Sequence, residues 1–405
     1  METTLAPPSP ESSQQERIDS CDLDSVELNW PFFLSLLPPD WERSARESNA
    51  FQRRRGIPDP SAFLRLTFAY CYCGLSLRLT VFWAELKGIA YLSEVALLKR
   101  LRRARPWLGR LLAAKLAERA APPALPASQA GALRVRVVDA SSVSRPGSKG
   151  TDWKIQVGFQ LARLTVEQVE LTDARGGESF KRLATAPGEI SLGDRGYAQR
   201  QGIAALAQQG GWVVVRLNWL TVPLQHPDGQ PFDLFATLKT LPATQAGEWA
   251  VRTAPAEDGT PAIPGRLVAL RKSPAAAEIS RRKVWKEARR KGKTPDARSL
   301  QAADYVFLFT TVPPQVLTAQ EVLELYRFRW QIELAFKRMK SLLHLGELPA
   351  KNAELCQTIL LTKLLAALMV DELTHRWVDF SPWGYGHPAP PFAVAGVPSC
   401  SGKLA

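Results

Sequence analysis

Leucine and alanine recur at three- and four-residue steps from Leu28 to about Ala121, the spacing that gives a helix one apolar face. Ser93 stands where an N-cap opens a helix over Glu94–Arg105, and the segment before it, Val81–Lys87, ends at Gly88. The two read as a helix-turn-helix. The texture changes at Ala120–Ala130, where Pro122, Pro123 and Pro126, with Gly131 just after, mark a linker. Leu133–Asp139 is then a β-branched run closing on a carboxylate, followed by a Ser/Gly/Pro loop from Ser141 to Gly150. Trp153–Leu161 and Leu164–Leu171 complete a β-meander. A helix over Gln199–Gln209 leads through Gly210 and Gly211 into Trp212–Leu217, a continuous apolar strand of the kind buried on both faces. Asp194 precedes that helix, in the run Gly193-Asp-Arg-Gly-Tyr197.

Beyond residue 221 the runs shorten. Phe232–Leu238, Trp249–Thr253 and Arg266–Arg271 alternate between Pro/Gly/Asp turns and predict a small antiparallel sheet. Tyr305–Thr311 returns to a buried strand, one long helix is predicted from Thr318 to about Leu345, and an apolar helix covers Leu355–Arg376.

Composition narrows the classes. With 45% hydrophobic residues the 405-residue chain buries a substantial core, which excludes wholesale disorder. The most apolar stretch, Ile359–Leu373, is interrupted by Lys363 and Asp371 and falls short of the ~20 residues a membrane span needs. No membrane role is expected, and the N-terminus lacks the order of a signal peptide. Five scattered cysteines with no C-x-x-C pair predict reduced thiols and no zinc site. Fifty-two Lys and Arg against 39 Asp and Glu leave a net charge of +13, which points to a polyanionic partner, most commonly nucleic acid. Two segments concentrate that charge. Glu94–Arg105 carries Arg100 and Arg103 among its cations, and Arg281–Lys293, with Arg281, Arg282 and Lys283, has eight basic residues against one acidic. Both are read as phosphate-facing, against the plainer alternative of a solvated helix face or an exposed mobile run.

The chemistry sits on the long helix. At about 100° per residue, with Glu333 at zero, Tyr326 falls near +20°, Lys340 near −20°, Arg329 near −40° and Lys337 near +40°. Leu325, Phe328, Ile332, Ala335, Met339, Leu342 and Leu343 form the apolar stripe that anchors it. By geometry alone the Arg329–Glu333 and Glu333–Lys337 pairs read equally well as ordinary surface salt bridges. Asp139 and Asp194 change the weighing, because carboxylates at strand ends and one on an adjacent helix can converge on a single point. Three such groups repel unless a cation lies between them. Oxygen ligands without His or Cys suit Mg2+ or Mn2+, and two such ions serve in-line displacement at phosphorus.

The spacing Tyr326-x2-Arg329-x3-Glu333-x6-Lys340 resembles the Y-R-E-K signature of bacterial insertion-sequence transposases of the IS4 family. The segments Val137–Gly147 (VVDASSVSRPG) and Gly193–Tyr197 (GDRGY) look like that family's two Asp motifs, in the right order. The resemblance covers roughly residues 30–380. It implies an α/β fold: an RNase H-like catalytic domain with a β-rich insertion, preceded by a helical DNA-binding region. The layout that follows is a disordered arm at 1–25, a helical DNA-end-binding region at 26–121, catalytic parts at 129–220 and 301–378, the insertion with its basic segment at 221–300, and a Pro/Gly-rich tail at 379–405.

The resemblance further implies a catalytic and metal-binding triad of Asp139, Asp194 and Glu333 using Mg2+, with Mn2+ as a substitute. Tyr326, Arg329, Lys337 and Lys340 are expected to hold DNA. Cut-and-paste transposition of double-stranded DNA is expected, with terminal inverted repeats and target DNA as partners, a homodimer in the DNA complex, and a cytoplasmic, nucleoid-associated location. Members with this signature use a hairpin on the excised end, with a Trp holding a flipped base; the insertion contains Trp249 and Trp285. The tail, with nine Pro and Gly among its last 26 residues, departs from the basic helical ending usual in the family and is read as a truncated or frameshifted end. Two rival readings remain: an inactive remnant that only binds element ends, and an RNase H-like nuclease without strand transfer.

Overall fold

The computed structural model describes residues 30–120, 133–161, 165–242, 245–330, 332–333, 336–337, 340, 344–345 and 348–379. The expected arm, most of the linker, the tail from residue 380, and Ala335, Met339, Leu342 and Leu343 of the apolar stripe lie outside the described residues. The chain divides into two units.

The first unit is helical. It contains α1 (Trp30–Ser35), α2 (Trp41–Glu47), α3 (Pro60–Cys71), α4 (Leu77–Leu86), α5 (Glu94–Arg103) and α6 (Arg105–Ala120). Local chemistry sets several of these starts. Asp59 accepts from Ala62 N at 2.7 Å with Pro60 in the first turn of α3, and Ser93 caps α5 as its position predicted. Gly88 takes φ +64° in the turn between α4 and α5, where a side chain would be strained. Phe63 stacks on Trp107 at 5.8 Å, and Trp107 Nε1 donates to Trp41 O, so α2, α3 and α6 share one aromatic core.

Residues 353–379, read from the sequence as the close of the second catalytic part, group instead with these helices. Helix α12 (Ala353–Asp379) sends Thr358 Oγ1 to Leu101 O at 2.9 Å, and its Glu372 pairs with the buried Lys115 at 2.8 Å. Its apolar stretch is also longer than expected. Ala353–Leu373 spans 21 residues and meets the length and hydropathy of a membrane span, but 72% of that window is buried within the protein. A helix apolar all round and covered by neighbours is a core helix.

The second unit is built on one nine-stranded sheet with order β3-β2-β1-β4-β5-β9-β8-β7-β6. Its strands are β1 (Val135–Val143), β2 (Trp153–Gln160), β3 (Thr165–Asp173), β4 (Ile190–Gly193), β5 (Trp212–Arg216), β6 (Leu224–Gln225), β7 (Gly247–Thr253), β8 (Pro264–Arg271) and β9 (Tyr305–Thr310). The β1–β4 and β4–β5 pairings are parallel, and the others antiparallel. Helix α7 (Arg200–Gln208) makes the crossover from β4 to β5 that a parallel pair requires. Its Ile203 and Leu206 join Val213, Val215, Leu267, Phe307 and Phe309 in a continuous buried core.

Two expectations change here, and one alternative reading falls away. The strands of the insertion do not form a separate small sheet, because β8 pairs with β9 along six residues and extends the main sheet. Phe232–Leu238 is not a strand: Asp233 accepts from Ala236 N and starts helix α8 (Leu234–Lys239). The basic run is not a mobile segment, because Ser273 and Pro274 open helix α9 (Pro274–Arg290) and several of its cations are paired along it, Arg282 to Glu278 and both Arg290 and Lys291 to Glu287. Short α10 (Ala297–Ala302) then returns the chain to β9.

Candidate active site

Strands β1 and β4 run parallel with Val135–Val137 opposite Ile190–Leu192. Two residues past the last pair, each strand places a carboxylate: Asp139 on β1 and Asp194 after β4. This is the crevice beyond the carboxyl ends of parallel strands, where α/β sheets commonly hold ligands. Asp139 does not end its strand as expected. β1 continues to Val143 against β2, and the expected loop starts later; only the pairing with β4 ends before Asp139. Asp139 accepts from Ala140 N at 2.8 Å, and Asp194 caps the turn Arg195–Tyr197 by accepting from Gly196 N at 2.8 Å.

Burial pushes Asp139 up to about 6; the Ala140 N–H and Arg329 oppose the shift, and Asp194 and Glu178 add to it. Glu178, which nothing in the sequence pattern singled out, is itself raised by burial and by Asp194, with Lys154 opposing. The Tyr197 phenol is raised by burial and by the four carboxylates Asp139, Glu178, Asp194 and Glu170.

The signature residues come from two helical pieces rather than one. Thr318 and Glu321 form a capping box that starts α11 (Ala319–Arg327), and the helix stops there. Phe328 N and Arg329 N bond three residues back, to Leu325 O and Tyr326 O, making a turn before helical residues resume at 330. The uniform helix wheel therefore does not hold between Tyr326 and Glu333. What the turn does is aim Arg329 at both neighbours. Its Nη2 donates to Glu333 Oε1 at 2.5 Å, and its charge acts on Tyr326 and Asp139. Ile332 and Phe336 are buried and anchor the second piece, leaving Glu333, Lys337 and Lys340 exposed. Tyr326 is half-buried and raised to about 12, chiefly by burial against the opposing Arg329 and Arg216, so its phenol is a neutral donor.

Oxygen donors crowded enough to raise one another fit a divalent cation. Asp194 adds to the rise of Asp139, while the Glu333 carboxylate is engaged by Arg329. Among the described residues no three Asp, Glu, His or Cys side chains stand close enough together to hold an ion.

A basic cleft of about 280 Å³ adjoins this crevice, lined by Arg195, Arg216, Trp219, Lys272 and Lys283. Arg216 and Lys272 also face a second hollow that Tyr326 and Arg327 line. Lys272 donates to Ser280 Oγ and Ala303 O, and burial with the neighbouring Arg216 and Lys283 brings it down to about 8 against the pull of Asp304. Of the cations singled out in the sequence, Lys283 reaches this cleft, whereas Arg281 is tied to Asp304 and Glu278 and Arg282 to Glu278. In the helical unit Arg103 is exposed, but Arg100 is committed internally, donating to the carbonyls of Arg53 and Arg55 and lying over Phe51. Arg195 lies in the Gly193–Tyr197 run, but Arg216 and Lys272 carried no sequence signal beyond their charge, because strands and loops far apart in the chain bring them together. Trp285 is exposed with Arg289 over its ring, and Trp249 packs on the core.

Residues 130–369, which contain both aspartates, Glu333 and the whole sheet, match the transposase DDE domain family. The chain belongs to that family. It is 38% identical over 364 residues to InsL of insertion sequence element IS186A from Escherichia coli (strain K12), covering 88% of this chain and 97% of that one. The transposase for insertion sequence element IS421 of Escherichia coli is 38% identical over 365 residues, with the same coverage. The cryo-EM structure of a piggyBac transposase synaptic complex with hairpin DNA aligns at a TM-score of 0.44 and 10% identity, over 85% of this chain and 73% of that one. This DDE transposase is thus an IS4-family enzyme of insertion sequences with a mixed α/β fold on one large mixed sheet.

Proposed function

We propose that this transposase excises and reinserts its element by cut-and-paste, with Asp139, Asp194 and Glu333 as the catalytic carboxylates. The observation that carries the reading is the placement of Asp139 and Asp194 in register beyond the parallel β1–β4 pairing. Strands β1–β5, in the order 3-2-1-4-5, support an RNase H-like catalytic core, with residues 221–300 as its insertion and the N-terminal helices as the end-binding region. A bound Mg2+, or Mn2+ in its place, supplies the positive charge that activates the attacking oxygen and stabilises the departing one. The chain's own residues do the rest. Asp139 and Asp194 present anionic oxygens to the metal once Asp139 has lost its proton. Glu333 becomes available as Arg329 moves from it to a DNA phosphate. Tyr326, Lys337 and Lys340 hold the backbone near the scissile bond, and Arg195, Arg216, Lys272 and Lys283 track it along the cleft. The partners are double-stranded terminal inverted repeats and target DNA, bound by a homodimer in the bacterial cytoplasm at the nucleoid.

The test is to incubate the protein, Mg2+ and a labelled duplex carrying the element's terminal repeats. Nicked and then joined products are expected. Asp194→Ala should bind the ends and not cleave them, and cleavage equal to the parent would remove Asp194 from the site. Binding without nicking by a folded preparation would favour the inactive remnant, and cleavage without joining the simple nuclease.

A further inference from the structure

Glu178 lies between β3 and β4, well away in sequence from each of the three proposed carboxylates. A Cβ at Gly196 would stand 2.0 Å from Glu178 Oε2 and 3.1 Å from Asp194 Oδ1. The two oxygens are therefore no farther apart than those two distances together. The glycine is needed for space, because any side chain there would displace the Glu178 carboxylate. Two carboxylates at that separation repel unless a cation joins them. Lys154 Nζ, at 3.9 Å from Glu178 Oε1, is a long contact that only partly offsets this repulsion, since Glu178 stays raised.

A second observation points into the same place. Tyr197 is fully buried, held by ring packing on Phe180 at 5.3 Å, and among the described residues its hydroxyl has no hydrogen-bond partner although it stands in the field of Asp139, Asp194 and Glu178. A buried hydroxyl without a partner is uncommon and marks a missing acceptor or ligand. We infer that, as a bound divalent cation draws side chains together that in the metal-free chain do not yet form a three-carboxylate group, Glu178 becomes a fourth carboxylate of its site, reaching it from the Asp194 side, with the Tyr197 hydroxyl donating to the acidic group so assembled. This rests on the reading that Asp194 binds the metal.

The experiment is Mn2+ binding to the full-length, DNA-free protein, followed by the electron paramagnetic resonance signal of unbound Mn2+, for the parent, Glu178→Gln, Tyr197→Phe and Asp194→Asn. Thermal melting is measured alongside in EDTA and in Mn2+. Glu178→Gln should bind Mn2+ about tenfold more weakly, in the range found for residues that support metal ligands. Tyr197→Phe, which keeps the ring packing, should weaken it several-fold. In EDTA Glu178→Gln should melt at or above the parent temperature because a repulsion is relieved, and in Mn2+ it should gain less than the parent. Parent-like Mn2+ affinity in Glu178→Gln, with Asp194→Asn weakened, would overturn the assignment of Glu178. Unchanged affinity in both would overturn the reading of Asp194 itself. A lower melting temperature of Glu178→Gln in EDTA would make Glu178 a structural residue and also end the proposal.

Discussion

The Arg329 guanidinium donates to the Glu333 carboxylate at 2.5 Å, four residues ahead of it, while its charge also reaches Asp139 on the neighbouring strand. One cation therefore bears on carboxylates from two distant parts of the chain.

Removing that cation should separate stability from activity. The Glu333 side chain is 55% exposed, so the pair itself contributes only about a few tenths of a kcal/mol. Arg329→Ala should melt within a degree or two of the parent and yet cleave end DNA at least about tenfold more slowly, since a positively charged donor at the phosphate is lost. A large drop in melting temperature with cleavage unchanged would show the pair to be structural.

Asp139 predicts a pH trend for the metal-free protein. Its carboxyl titrates near 6 in the fold and near 3.8 when exposed, so between those values the folded state holds a proton that the unfolded state has released. Folding stability contributed by this residue therefore falls as pH rises from about 4 to about 6 and is level above that. Asp139→Asn in EDTA should be more stable than the parent at pH 7 and show little advantage at pH 4, read by urea titration at both values. An equal gain at both pH values would contradict the burial argument.

The glycine of the Gly193-Asp-Arg-Gly-Tyr run has a packing role rather than a turn role. Gly193 lacks a positive φ, but a Cβ there would lie 2.7 Å from Phe180 Cζ and 2.8 Å from Tyr197 Cβ, both buried. Gly193→Ala should cost about 1–3 kcal/mol by overpacking, measured as a shift in urea midpoint. A midpoint within error of the parent would mean that the aromatic pair can move aside.

Lys272 offers a handle on the cleft. Because burial brings its ammonium down to about 8, its charge is lost between pH 7 and pH 9, whereas an exposed lysine would keep it. Affinity for end DNA should weaken across that interval in the parent and not in Lys272→Met. The variant should also show a salt dependence shallower by about 0.9 in the log–log slope, the value for one phosphate contact. Identical pH and salt dependence in the two proteins would place the DNA elsewhere.

Much of the local structure was legible in the chain. Ser93 and Gly88 mark the boundaries around α5, the β-branched runs locate β1, β2, β3, β5 and β9, and Tyr326, Arg329, Glu333 and Lys340 carry the family signature by spacing alone. These signals are short-range: caps, turns and periodicity act over a few residues, so a sequence reading reaches them. The break at Phe328–Arg329 escaped it because the apolar period continues through the turn, and a wheel drawn across it assumes the continuity it is meant to test.

By itself, then, the sequence determined most of the helix and strand segments, Phe232–Leu238 and the break at Phe328–Arg329 apart, and which residues carry the family signature. Tertiary structure decided the partners. It joined the insertion strands to the main sheet, took α12 to the N-terminal helices, tied Arg100 and Arg281 to internal acceptors, and brought Glu178 beside Asp194. Each of those outcomes depends on burial and charge contacts between residues far apart in the chain, and such contacts leave no period or spacing in the sequence to be read.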